Sequence, residues 1–218
     1  MLSEGKVGQR FLGDGAQAEL RLLRSGALAC ADAHARYYEP TYRGNVYSVG
    51  MTSTALSANT ISLTATATPI IGVWNPLLSD VNLVLLKSKC VITVAGNSAV
   101  APGGFVWATS INNSVISTGL NPLNRKTLNT SGSRAKGFNI TTALTGLSNN
   151  LVIQHAAAFG TLVAAQGATA SPFISGDGVE EFDGAFIIPP GGVLALLNTT
   201  STTTVSVASM LMWEEVPL

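Results

Sequence analysis

Polar and apolar residues alternate with a period of two through most of this chain after its first 44 residues. Between positions 60 and 68 the polar phase is Thr60, Ser62, Thr64, Thr66 and Thr68, and the apolar phase is Ile61, Leu63, Ala65 and Ala67. Near the end, Val205, Val207, Ser209, Leu211 and Trp213 share one mostly apolar phase. Successive side chains of a strand point to opposite faces, so this alternation predicts strands with one face buried and one wet. Read this way, the chain has strands over residues 45–50, 57–67, 70–74, 82–88, 90–95, 105–111, 138–145, 151–158, 184–188, 193–198 and 203–213. Turn chemistry separates them at Asn75-Pro76, Gly96-Asn97, Pro102-Gly103-Gly104, Asn112-Asn113, Asn121-Pro122, Asn149-Asn150 and Pro189-Pro190-Gly191-Gly192. About eight to eleven short strands at this spacing predict an all-β chain, a jelly-roll-like β-sandwich. Two polar stretches, 112–137 and 164–183, are too long for tight turns and predict loops that carry function.

The first 44 residues break the pattern. Residues 18–24 and 27–31 around Ser25-Gly26 can form a hairpin, and the Ala-rich run 27–36 can instead form a short helix. Tyr37-Tyr38 closes this segment, and Pro40 and Gly44 separate it from the alternating body of the chain. A piece this small has no private core, so the expected organisation is an N-terminal anchoring arm, 1–44, and a sandwich domain, 45–218.

Charge changes the picture more than composition does. The 218 residues include Lys+Arg 12 and Asp+Glu 12, which is 11% charged against 46% hydrophobic. A solitary soluble domain carries about a quarter charged residues with the signs mixed. Here 11 of the charges lie in the first 45 positions, and none lies between Arg43 and Asp80. Lys87, Lys89, Arg125, Lys126, Arg134 and Lys136 come next, with no acid among them. Every later charge is acidic: Asp177, Glu180, Glu181, Asp183, Glu214 and Glu215. Such a surface suits a building block covered by copies of itself. The expectation is that Arg125, Lys126, Arg134 and Lys136 of one chain meet Asp177, Glu180, Glu181 and Asp183 of another.

Candidate chemistry adds little. The acidic run around Asp177 and Glu181 admits a Ca²⁺ site, a plain loop or the inter-chain contact, but its spacing does not fit an EF-hand. Cys30 and Cys90 have no zinc-ligand spacing and read as two buried thiols. Of the two histidines, His34 and His155, the second sits in an apolar strand with no carboxylate or nucleophile nearby in sequence. Trp74, Trp107 and Trp213 lie at or in strands and read as core or interface anchors. No nucleophile elbow, Walker loop or dinucleotide fingerprint occurs. A glycan hydrolase would need two carboxylates in one cleft, and none lies between Asp80 and Asp177. The basic loop lacks interleaved aromatics, which argues against nucleic acid. No run is long and apolar enough for a bilayer, and Met1 precedes LSEGKVGQR rather than an apolar leader. The expectation is therefore a non-enzymatic protein with no cofactor and no metal, made in a cytoplasm.

Three stretches resemble one family. The ending IIPPGGVLALLNTTSTTTVSVASMLMWEEVP (187–217), the stretch TATATPIIGVWNPLLSDVNLVLLKSKCVITV (64–94) and the segment DGAQAELRLLRSGALACADAHARYYEP (14–40) are similar to jelly-roll virion structural proteins of tailed bacteriophages. The resemblance implies a homotrimeric virion protein, foremost a capsid decoration or cement protein that binds the major capsid protein and stabilises the head. It implies that Arg21, Arg24, Arg36, Tyr37 and Tyr38 are arm contacts, and that the chain resides in the virion after synthesis in the host cytoplasm. The alternative is a fibre, neck or tail knob protein that binds a receptor or glycan.

Overall fold

The computed structural model describes residues 35–56, 68–94, 103–112, 119–139, 147–162, 171–175, 178–199 and 202–218. The chain divides into two units, Met1–Glu39 and Pro40–Leu218, and the second carries the sheets. The expected hairpin over 18–31 lies outside the described residues, as do the strand over 57–67 and nearly all of the alternative helix over 27–36.

A short helix, α1 (Tyr38–Arg43), forms around Pro40, which reads as a separator in the sequence. Proline is tolerated in a first helical turn because no intrahelical N–H is required there. Glu39 in the first turn and Arg43 in the last turn complement the helix dipole. Gly44, at φ +84°, ends the helix in the left-handed conformation. The Gly44 N–H donates to the Thr41 carbonyl and the Asn45 N–H to the Pro40 carbonyl, both at 3.0 Å, which closes a Schellman turn.

The strands among the described residues are β1 (Val46–Leu56), β2 (Ile71–Trp74), β3 (Val81–Val94), β4 (Gly103–Asn112), β5 (Leu123–Asn124), β6 (Lys136–Asn139), β7 (Leu147–Leu162), β8 (Ser171–Ser175), β9 (Val179–Glu181), β10 (Ile187–Ile188), β11 (Gly192–Asn198) and β12 (Thr202–Pro217). They make two antiparallel sheets. One has the order β10-β3-β12-β1-β5 with β9 also on β3, and the other is β6-β2-β11-β4-β7-β8. The partners are nested. β1 pairs with β12, β2 with β11, β3 with β9 and β10, and β4 with β7. β12 then joins β3, and β11 joins β4, within each sheet. The protein is an all-β sandwich, as its alternation predicts. Among the described residues no helix is long and apolar enough to cross a membrane.

The main core lies between the sheets. Val49, Leu83, Leu85, Leu211 and Trp213 come from one sheet, and Val73, Trp107, Leu194 and Leu196 from the other. Burial of each such side chain is worth on the order of 2–3 kcal/mol. β11 is buried on both faces, because Val193, Ala195 and Leu197 join Trp74, Val106, Ala108 and Phe138 in a second cluster on the other side of their sheet. Its unbroken apolar run matches that position.

Alternation predicts two strands over 82–88 and 90–95, and β3 is a single strand across both. The β12–β3 register shifts between Met212 and Trp213, opposite Lys87 and Leu85, so Leu86 is an extra residue. Leu83 and Leu85 enter the core before the shift and Cys90 after it. One inserted residue reverses the inward phase, which looks like a strand boundary in the sequence.

Candidate functional site

The charged residues of the sandwich gather, among the described residues, at three places, two of them organised by a buried side chain that the sequence does not single out. The first is the turn after β5, which carries Arg125 and Lys126. Asn124 organises it and is itself buried. Its Nδ2 donates to the Gly44 carbonyl at 2.6 Å. Its Oδ1 accepts the backbone N–H groups of Lys126 at 3.0 Å and Thr127 at 3.1 Å. Asn favours such local capping because its short side chain reaches backbone two and three residues on. The Arg125 N–H donates to the Val46 carbonyl at 2.8 Å, and Lys126 Nζ stands 4.7 Å from the centre of the Tyr42 ring, in cation–π geometry. Arg125 and Lys126 are exposed.

The second place is the segment before β6. Glu215, near the end of β12, is 7% exposed and faces inward. It accepts from Ser133 Oγ at 2.6 Å and from the backbone N–H groups of Arg134 at 3.1 Å and Ala135 at 3.3 Å. This carboxylate is held by a backbone loop and presents Arg134 outward. The Arg134 Nε donates to Asp80 Oδ1 at 2.9 Å and its Nη2 to Oδ2 at 3.3 Å, a fork-on-carboxylate pair. The hydrogen bond from Arg134 holds the Asp80 carboxyl below its ordinary pKa, and the same bond raises that of Arg134. Both are exposed, at 66% and 59% of the side chain, so the pair adds register more than stability. Lys136 reaches Asn121 Oδ1 at 3.5 Å.

The third place is β9. It pairs with β3 so that Lys87 lies opposite Glu181 and Ser88 opposite Glu180. Lys87 Nζ meets Glu181 Oε1 at 3.0 Å. Asp183 comes next in a turn at φ +49°, with its N–H donating to the Leu86 carbonyl. Asp177 lies outside the described residues. Among the described residues no three His, Cys, Asp or Glu side chains converge as a metal site would require.

Of the residues expected at contacts between chains, Glu181 and Arg134 each have an ion-pair partner within this chain, Lys87 and Asp80. The nesting returns the late acidic segment to β3 as an added strand, which brings Glu181 beside Lys87. The arm candidates Arg21 and Arg24 lie outside the described residues, with Cys30 and His34. Arg36 and Tyr37 precede α1, and Tyr38 begins it. His155 lies on β7 opposite Val106. Cys90 is a buried free thiol whose pKa burial pushes up to about 12, so it is no nucleophile at neutral pH.

One end of the sandwich is apolar. Leu77, Leu78, Ile111 and Ile187 are exposed there by 53%, 96%, 43% and 52%. A pocket of about 210 Å³ lies beside them between the end of β4 and the turn into β11, lined by Ile111, Phe186, Ile187, Ile188, Pro189 and Val193. Grouped exposed apolar residues mark contact surfaces when they form a contiguous patch. Comparison with family models, with curated proteins and with solved structures gives no match.

Proposed function

We propose that this chain is a non-enzymatic virion structural protein, a capsid decoration protein that binds a phage head as an oligomer and stabilises it. The observation that carries the reading is the nested pairing of strands, first with last and second with second-to-last, across two packed sheets. Eight strands paired in that order make a jelly roll, an architecture used repeatedly for capsid proteins. We therefore take the sandwich as a jelly roll, with β1, β2, β3, β4, β7, the β9–β10 pair, β11 and β12 as its strands. The 11% charge content and the exposed apolar end fit a chain that works while covered. In this reading the arm and the apolar end contact the shell, while Arg125, Lys126, Lys136 and Glu180 lie at the rim between copies, where charge selects register. A protein that binds the assembled shell and not its parts stabilises that shell by mass action.

Jelly rolls also serve as lectin domains. That supports the second reading, a fibre, neck or tail knob binding a receptor or glycan. Copy number separates the two. Quantitative mass spectrometry of purified particles is expected to give hundreds of copies per head. Removal of the protein is expected to lower the temperature at which heads release DNA. A dozen copies or fewer, or heads of unchanged stability without it, would sink the decoration reading.

A further inference from the structure

Among the described residues, β1 is paired along one side and open along most of the other. Its odd residues bond to β12: the Glu215 N–H donates to the Asn45 carbonyl at 2.9 Å, and the ladder continues through Tyr47↔Trp213, Val49↔Leu211 and Met51↔Ser209. Its even residues therefore turn their N–H and C=O groups the other way. On that side the Val46 carbonyl accepts from Arg125, and β5 covers Tyr47 and Ser48. There β5 begins, because the preceding segment lies against the other sheet, where Leu120 bridges Gly137. Among the described residues no strand pairs with that side of β1 from Gly50 to Leu56. Gly50 is exposed. The step beyond β5 is a groove of about 420 Å³ over Val49, Leu120, Leu123 and Met210, with Arg125 in its lining.

Open sheet edges are normally guarded by lysine, proline or a covering element. The sequence of β1, VYSVGMTSTAL, has no charge and no proline. No charged residue lies anywhere between Arg43 and Asp80. An unguarded, uncharged edge is a template for strand addition, and it does not repel an identical edge.

We propose that a second copy of the chain completes this edge, with β1 against β1, antiparallel about a two-fold axis near Thr52. Gly50 then faces Thr54 of the partner subunit, and Thr52 faces Thr52 of the partner subunit. These three pairs exchange about six backbone hydrogen bonds. The nearest cations, Arg125 of each copy, flank Val46 and fall about 40 Å apart at the rise of a strand, several Debye lengths at physiological salt. The contact is isologous, so its unit is a dimer, whereas a ring of three requires two different surfaces. It deepens the self-association in the virion reading, yet the purified chain tests it alone, so either idea can fail while the other stands.

The experiment is amide hydrogen exchange and light scattering on the full chain across a range of concentrations. The Gly50, Thr52 and Thr54 amides are expected to gain protection as concentration rises, while Met51 and Ser53 are protected throughout by β12. The mass is expected to approach 45 kDa, twice the 22.5 kDa of one chain. Gly50→Pro removes one outward N–H without touching the β12 ladder and is expected to weaken association at least about tenfold. If that variant does not fold, Gly50→Lys decides, since a Cβ at Gly50 meets nothing nearer than the Ser209 carbonyl at 3.6 Å and the charge guards the edge. An even-numbered assembly that halves in either variant supports the proposal. A monomer at every concentration, equal exchange of alternate amides, or an assembly that keeps its mass in the folded variants overturns it.

Discussion

Asn75 shows how one side chain can fasten two turns. It is fully buried, and its Nδ2 donates to the Val81 carbonyl at 2.9 Å and the Ile188 carbonyl at 3.1 Å. Its backbone N–H donates to Gly192, and its carbonyl accepts from Gly191. The Asn-Pro turn and the Pro-Pro-Gly-Gly turn are thereby locked together at the ends of β2 and β11. Asn75→Ala removes both bonds and leaves the Val81 carbonyl with only the Ser79 Oγ contact at 3.4 Å, and guanidinium titration is expected to show a loss of about 1–3 kcal/mol. Glu214 acts in the opposite direction. Burial raises its pKa, so the fold disfavours its charged form. Its contribution is complete below the unfolded-state pKa and is lost as pH rises through the folded value. Glu214→Gln is therefore expected to melt above wild type at neutral pH, with the two converging in acid. Equal melting temperatures at neutral pH would count against that assignment.

At the scale of elements, β9 is the clearest case of a small piece held by backbone geometry rather than by charge. The Cys90 N–H donates to the Gly178 carbonyl at 2.7 Å just before the strand begins. Gly178 sits at φ +61°, and a Cβ there would collide with the Cys90 carbonyl oxygen. Gly178→Ala is expected to cost about 2 kcal/mol and to raise amide exchange across Val179–Glu181. Glu181→Gln breaks an exposed pair and should cost less than about 1 kcal/mol. If the two variants lose equal stability, charge holds β9 after all. The same element marks the limit of what alternation reveals. Long strands such as β4, β11 and β12 are legible because their apolar phase is unbroken over many residues. β5, β6 and β9 have two to four residues, too few for a period, and each falls within a stretch that reads as loop or at its end. The Leu86 insertion hides the continuity of β3. The buried acceptor role of Glu215 is illegible because its partners are backbone and hydroxyl donors 80 to 82 residues away. Charge segregation is plain in the sequence, but pairing Lys87 with Glu181 in one chain needs the nested topology.

For the whole molecule, the place of residues 40–44 can be argued from what they touch. Ten of the charged residues fall in Met1–Glu39, which leaves Pro40–Leu218 poor in charge and rich in sheet. Composition alone places the break at Gly44. The bonds place the last removable residue earlier. Gly44 supplies the carbonyl that Asn124 Nδ2 meets at 2.6 Å, Tyr42 lies under Lys126, and Pro40 accepts from Asn45. Residues 40–44 thus belong to the fold of the sandwich. Removal of Met1–Glu39 is expected to leave a cooperatively melting protein with the near-ultraviolet signal of buried Trp107 and Trp213 intact. Removal of five further residues strips the acceptor from buried Asn124 and the aromatic face from Lys126, at a cost of about 1–3 kcal/mol. The measurement is denaturant unfolding of both truncated chains beside the full one. Equal midpoints for the two truncations would show that residues 40–44 add nothing to the stability of the sandwich. Loss of cooperative unfolding in the longer of them would show that the sandwich does not fold without its first 39 residues. In the virion reading the shorter cut already abolishes attachment to heads, because several weak arm contacts act together when copies are joined.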